Sequence, residues 1–343
     1  MTTAAVIGCG DVSVVHLRAI EKLAGVDLVG VCDTDPARAA AAAGRYGVPA
    51  FTDHRQLLDA ARPDVVHVCT PHHQHVPAAI DCLDAGVGVL VEKPVAHTVA
   101  EADRLIAAAR AHPQVKAGIC LQNRYNAASR ATRAMLLSGE LGAVLGGSAT
   151  VLWHRDPAYY QARPWRGQLR DSGGGVLINQ AIHTLDLMEW LIGDVVRVRG
   201  HTGRYALDGV IDVEDTAHAL LEHAGGARSV VFATVGNVTD SPVTIEIVTE
   251  RAVLRIRGDL TVSYPDGRTD TVAERRADGG GRSYWGVSHE LLIADFYRTR
   301  ADPEPFWIDP QEGARSLRLV HQIYRQNSHP TTPPTTQSRT EGS

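Results

Sequence analysis

No stretch of this chain approaches the roughly 20 consecutive apolar residues needed to span a bilayer, and no run of lysine or arginine forms a basic stripe. With a formal net charge of −5, membrane and nucleic acid are both set aside as partners. Cysteine is scarce and odd in number. Cys9, Cys32, Cys69, Cys82 and Cys120 all fall in the early part of the chain, mostly inside apolar, strand-like runs. They read as buried thiols in a reducing compartment, not as a disulfide frame. A basic and then apolar leader is also missing, because the chain enters directly at strand-like residues, and a cytoplasmic protein is expected. No internal repeat is present.

What remains is a globular composition, 44% hydrophobic and 21% charged over 343 residues, too long for one ordinary core, so two domains are expected. The first begins with the apolar run Ala4 to Ile7, the turn Gly8-Cys9-Gly10-Asp11-Val12-Ser13 and a helical stretch through Ile20. Such a turn lets Gly8 reverse the chain tightly and lets the backbone at Gly10 approach a pyrophosphate seated on the helix N-terminus, with the small Ser13 in place of a third glycine. The next strand, Leu28 to Cys32, ends in Asp33, about 20 residues on, where a carboxylate suits ribose hydroxyls. NAD is favoured over NADP on this count, and Arg38 nearby leaves NADP open.

Strand and helix then alternate to about Leu121, with nearly continuous apolar strands, as a parallel sheet covered on both faces requires. Ligands bind such sheets at the carboxyl ends of the strands. Thr70-Pro71-His72-His73-Gln74-His75 follows one strand and Glu92-Lys93-Pro94 the next. No carboxylate or cysteine beside the histidines completes a ligand set, so no metal is expected. The histidines are expected to cap the following helix and line the cofactor cleft. Lys93 stands at the mouth of that cleft or is a plain surface lysine.

After Gln122-Asn123-Arg124-Tyr125 the pattern changes to a helix and then strands in succession, which implies an α+β domain with an antiparallel or mixed sheet. Apolar positions on both faces of these strands suggest that the sheet pairs with another copy, as a homodimer or homotetramer. Residues 329–343 read as a solvated tail. The segment Trp153 to Arg170 carries Tyr160, Trp165 and Arg166, suited to the apolar face and the hydroxyls of a sugar, or simply to covering the domain boundary. Three glycines at 173–175 run into a segment expected to be one helix through Asp186, with Asn179, His183 and Asp186 along one edge. A polar edge on an apolar helix is either satisfied internally or aimed into a cleft.

Together, Gly8-Cys9-Gly10, Thr70-Pro71 with His75, Glu92-Lys93-Pro94, Gln122-Asn123-Arg124-Tyr125 and the 173–186 stretch resemble the Gfo/Idh/MocA family, named for glucose-fructose oxidoreductase and inositol dehydrogenase. The resemblance implies an N-terminal Rossmann domain (1–122) and a C-terminal, open-faced, largely antiparallel β-sheet domain (123–328) that holds substrate and usually mediates oligomers. It implies an NAD(P)-dependent dehydrogenase or ketoreductase acting on a carbohydrate or cyclitol, with Lys93 and His183 as catalytic residues. Gly8, Cys9, Gly10, Asp11, Val12, Ser13, Asp33, Arg38, Thr70, Pro71, His72, His75, Glu92, Lys93 and Gln122 are expected around the cofactor. Asn179, Arg124, Tyr125, Tyr160, Trp165 and Arg166 are expected around the substrate. Asn179 departs from members with aspartate four residues before the histidine; an amide orients a hydroxyl but takes no proton. Because histidine needs no pKa shift to act near neutrality, the expected base is His183, with Lys93 polarising the oxygen and sharing the proton. A non-catalytic cofactor-binding sensor of the same fold is the alternative.

Overall fold

The computed structural model describes residues 1–275 and 287–326; the tail expected at 329–343 lies outside the described residues. The first layer alternates β1 (Thr2–Ile7), α1 (Ser13–Lys22), β2 (Val26–Cys32), α2 (Pro36–Tyr46), β3 (Ala50–Phe51), α3 (His54–Ala61), β4 (Val65–Val68), α4 (His72–Asp84), β5 (Gly88–Val91), α5 (Val99–Ala111) and β6 (Ala117–Ile119). The punctuation is chemical. Asp35 caps α2 through the amides of Ala37 and Arg38 with Pro36 at its first turn, and Gly47 ends it in the left-handed region. Every residue of β4 and β5 is buried, as strands covered on both faces must be.

These six strands form one parallel sheet in the order β3-β2-β1-β4-β5-β6. The order reverses between β1 and β4. A crevice therefore opens beyond their carboxyl ends, where connections leave in opposite directions.

The second layer follows a short turn at Gln122–Tyr125. It comprises α6 (Ala127–Ser138), β7 (Val144–Leu152), α7 (Pro157–Gln161), α8 (Leu169–Ser172), α9 (Val176–Asn179), α10 (Ile182–Ile192), β8 (Val195–Gly203), β9 (Thr216–His223), β10 (Arg228–Thr234), β11 (Thr244–Thr249), β12 (Val253–Arg257), β13 (Asp259–Ser263) and β14 (Thr269–Val272). Helices α11 (Val287–Arg298) and α12 (Pro310–Gln326) follow the second sheet. Its order is β14-β13-β12-β11-β7-β10-β9-β8, antiparallel except where β7 and β10 run parallel. Helices α6, α9, α10 and α12 cover one face. On the other, Val230 and Phe232 of β10 are exposed while Ser229, Val231 and Ala233 point inward, the period-two alternation of a half-covered strand.

Helices α11 and α12 also return to the first layer. Phe296 and Phe306 press on Gly118 so closely that a Cβ there would sit 2.8 Å from the Phe306 ring. The amide of Ile119 donates to Ile308 O at 2.9 Å. Among the described residues no helix is long and apolar enough to cross a membrane.

Candidate active site

A cleft of about 560 Å³ lies between the two layers, within the size range of small-molecule sites. Its floor is the turn after β1. Gly8 has φ +93 and a Cβ there would meet Cys69 C at 2.6 Å, so only glycine lets this turn pass the end of β4. Gly10 faces open space, with nothing within 4 Å of where its Cβ would be. Asp33, at the end of β2, accepts from the amides of Cys9 at 2.8 Å and Asp35 at 2.9 Å. Arg38 ion-pairs with Asp35 and stands 4.0 Å from Asp33. Gly8, Gly10, Asp11, Val12, Asp33, Arg38, Thr70, Pro71 and His72 all line the cleft.

Three residues expected at the cofactor stand behind this wall. The Cys9 amide serves Asp33, and burial pushes its thiol up to about 12. Ser13 Oγ donates to Gly10 O at 2.7 Å. His75 is buried, with its ring nitrogens 2.9 Å from the Thr70 carbonyl and 2.7 Å from the Pro94 carbonyl, and its one N–H ties the ring to the loops after β4 and β5. The cofactor shape fits the chain: the glycine turn is open where a pyrophosphate would lie, a carboxylate closes β2, and Thr70 Oγ1 is buried without a partner among the described residues.

Further in, Lys93 Nζ donates to the carbonyl of Asn179 at 2.8 Å. That carbonyl is free because the helix expected over 173–186 is broken. Helix α9 stops at Asn179, the Ala181 amide reaches back to Val176 O, and α10 restarts at Ile182. The glycines before it permit close approach. A Cβ on Gly173, at φ +79, would sit 1.9 Å from His97 O, and one on Gly175 1.8 Å from Glu214 O. The buried Glu214 carboxylate accepts from the amides of Gly175 and Leu177, satisfying the start of α9.

The break also splits the polar edge. Asn179 and His183 line the cleft, whereas Asp186 turns away. Asp186 forms a bidentate pair with Arg124 at 2.9 and 2.7 Å, and Arg124 also reaches Glu312 at 2.8 Å. Arg124 is thus a buried tie between the turn after β6, α10 and α12, not part of the cleft wall. Tyr125 OH donates to Asp295 at 2.6 Å and accepts from Trp307. Tyr160 is buried against Tyr159. The structure brings none of Arg124, Tyr125 and Tyr160 to the cleft; Asn123, Asn126 and Tyr159, their chain neighbours, line it instead.

Trp165 and Arg166 do reach it. Trp165 packs on His72, with ring centroids 4.7 Å apart. Arg163 and Arg166 cross from the second layer to Asp11, each at 3.0 Å. Against the effect of partial burial, they hold Asp11 below the usual carboxylate range. Arg155, paired with Asp240 at 2.8 Å and set over Trp153 and Tyr159, adds a cation that the sequence pattern did not single out.

The electrostatics separate the two central residues. Burial lowers the Lys93 ammonium to about 8, with Arg166 adding to the effect and Glu92 opposing it. Burial, reinforced by Lys93, pushes His183 down to about 3, so its ring is neutral near pH 7. Gln122 Nε2 stands 3.0 Å from His183 Nε2. An amide NH2 only donates, so in this arrangement Nε2 accepts and Nδ1 carries the proton. His183 Nδ1, Asn179 Nδ2 and Gln122 Oε1 are buried and without partners among the described residues. Such atoms are costly unless a ligand completes them.

Known proteins share this plan. Residues 2–118 match the model described as the oxidoreductase family with NAD-binding Rossmann fold, and residues 129–255 the GFO/IDH/MocA C-terminal domain. D-apiose dehydrogenase of Paraburkholderia graminis is 33% identical over 237 residues, 66% of this chain and 59% of that protein. Inositol 2-dehydrogenase 2 of Saccharopolyspora erythraea is 30% identical over 226 residues, 64% of this chain and 63% of that protein. The matched region thus spans about three fifths of these curated relatives' length. The WlbA dehydrogenase of Bordetella pertussis, solved with NADH and UDP-GlcNAcA, is 29% identical with a TM-score of 0.80, covering 94% of this chain and 95% of that one. With both halves of its fold matched in order, the chain belongs to the GFO/IDH/MocA family of NAD-binding oxidoreductases.

Proposed function

We propose that the protein is an NAD(P)-dependent dehydrogenase or ketoreductase that acts on a secondary hydroxyl or ketone of a sugar, cyclitol or sugar derivative. The observation that carries this reading is the convergence of Lys93, neutral His183 and the unpartnered polar atoms of Asn179 and Gln122 on one cleft. Gly8, Gly10, Thr70 and the 70–72 turn would hold the dinucleotide, with Asp33 on its adenosine ribose and Arg38 beside it. The bound nicotinamide would supply hydride acceptance or donation.

The roles of the two central residues exchange relative to the sequence-based expectation. A base near neutral pH needs a pKa near the working range, and Lys93 has it. Lys93 takes the hydroxyl proton in the oxidative direction and returns it in the reductive one. His183 donates its Nδ1 hydrogen to the same substrate oxygen, held in that tautomer by Gln122. Asn179 holds Lys93 through its carbonyl and offers its amide hydrogens to a neighbouring hydroxyl. Trp165 and Tyr159 suit the apolar face of a ring, and Arg155, Arg163 and Arg166 suit hydroxyls, a carboxylate or a phosphate.

The relatives suggest the probes, since they are named for D-apiose, for inositol and for a complex with UDP-GlcNAcA. NAD-dependent change in absorbance with any of these supports the reading. NADH binding without turnover of any sugar, cyclitol or nucleotide sugar would instead favour a sensor. The exposed apolar residues of β10 support a homodimer or homotetramer through the open sheet face, and five free cysteines, four of them buried, support a cytoplasmic protein.

A further inference from the structure

Behind Lys93 lies a group of titratable side chains that the proposed reaction leaves unused. Glu92 is buried and would ordinarily be neutralised by that burial, but bonds from His16 and His289 outweigh it and hold the carboxylate well below its usual range. It is therefore ionised, and an ionised carboxylate only accepts. Its donors include His16 Nε2 at 2.9 Å, the Lys93 amide at 3.1 Å and His289 Nε2 at 3.4 Å, together with the buried Cys120 thiol.

Two arms lead away from the carboxylate. His16 gives its Nε2 hydrogen to Glu92, and its Nδ1 stands 2.8 Å from His67 Nδ1. His67 Nε2 stands 3.0 Å from Tyr297 OH. This arm ends in satisfied partners on every ring nitrogen and fixes the carboxylate in place. The other arm does not end that way. His289 gives its Nε2 hydrogen to Glu92, and its Nδ1 is buried without a partner among the described residues, on a ring that lines the cleft.

We propose that His289 is a second proton-holding group of the site, kept as the Nε2–H tautomer by Glu92 with a bare Nδ1 presented to the cleft. The assignment rests on the hydride-transfer reading. In the oxidative direction, the substrate hydroxyl proton passes to neutral Lys93, and the resulting ammonium passes one proton within the cleft to His289 Nδ1. Lys93 is neutral again, and the imidazolium is paired with the Glu92 carboxylate. No electrons move in this step, and the reductive direction runs it in reverse. Burial disfavours a cation on the His289 ring, His16 and Lys93 add to that effect and Glu92 opposes it, so the ring rests neutral and carries the second proton only in passing. His183, close enough for His289 to act on its own titration, stays neutral. The proton thus rests on Lys93, and Glu92 is the charge that favours the passing imidazolium.

The resting protein, labelled with 15N-histidine, gives the first test. The expected long-range NMR signals show His289 protonated at Nε2 and bare at Nδ1 near pH 8; a proton on Nδ1 overturns the assignment. Turnover of inositol, D-apiose or UDP-GlcNAcA gives the second. His289→Gln is expected to bind NADH as the wild type does and to keep its KM, while kcat falls by ~10-fold or more and the pH profile of kcat changes shape. His289→Ala is expected to regain rate with added imidazole. Unchanged kcat and pH profile in a His289→Gln variant that binds NADH overturn the proposal. Absence of turnover by the wild type counts against the hydride-transfer reading alone, and the ring-nitrogen signals still decide the tautomer.

Discussion

If Lys93 is the base, its pKa of about 8 sets the pH dependence of kcat/KM. Oxidation requires the neutral amine. At pH 7 about one lysine in ten is neutral with a pKa near 8, against fewer than about one in a thousand at the ordinary value, so lowering the pKa raises the competent fraction by a factor of hundreds. The oxidative rate is therefore expected to rise by about tenfold between pH 7 and 9 and then level, whereas reduction, which needs the ammonium, falls over the same range. Two variants move the limb in opposite directions. Glu92 opposes the lowering and Arg166 assists it, so Glu92→Gln shifts the limb toward acid and Arg166→Gln toward alkali, each by roughly one pH unit or less. The assay is initial-rate NADH formation with a turned-over probe from pH 6 to 10.5, with NADH affinity followed by fluorescence. A wild-type limb near pH 10, or both variants moving the same way, refutes the reasoning.

Other parts of the account are open to equally direct tests. Arg124→Ala leaves the buried Asp186 carboxyl without its partner and is expected to destabilise the fold by ~3–5 kcal/mol in denaturant unfolding; a loss under about 1 kcal/mol contradicts the structural role given to Arg124. Asp33→Ser removes the carboxylate but leaves Arg38 beside the ribose site, so the ratio of NADP to NAD efficiency is expected to rise roughly tenfold or more, and an unchanged ratio places the ribose elsewhere. Phe232→Glu puts a charge on the exposed sheet face, and sedimentation is expected to show a smaller species than the wild type; an unchanged assembly removes that face as the interface.

Most of the first layer is legible in the sequence because each strand and helix announces itself within about ten residues. The turn at Gly8, the carboxylate at Asp33 and the mouth at Lys93 sit at strand ends, and the topology carries them to one crevice. The 173–186 stretch shows where such reading stops. Its apolar spacing is helical, yet Glu214, some forty residues on, receives the amides of Gly175 and Leu177 at the start of a helix that ends at Asn179. Asp186 shares a period with His183 and faces Arg124 instead. Arg124 and Tyr125 lie beside Gln122 in the chain, but a tight turn sends neighbours in different directions. The Glu92 cluster is hidden for a plainer reason: His16, His67, His289 and Tyr297 are joined by contacts between positions 51 or more residues apart. No local pattern marks them. The proposed exchange of roles between Lys93 and His183 is likewise invisible in the sequence, because it rests on burial and neighbouring charge, not on residue type.

The central claim is that Lys93 handles the proton of a hydride-transfer reaction in this cleft. Lys93→Met keeps the length of the side chain and removes the amine, so the direct measurement is kcat for NAD reduction by this variant beside its affinity for NADH. The account predicts a fall in kcat of ~100-fold or more with NADH binding essentially unchanged. A variant that binds NADH and turns over within a few-fold of the wild type would contradict it.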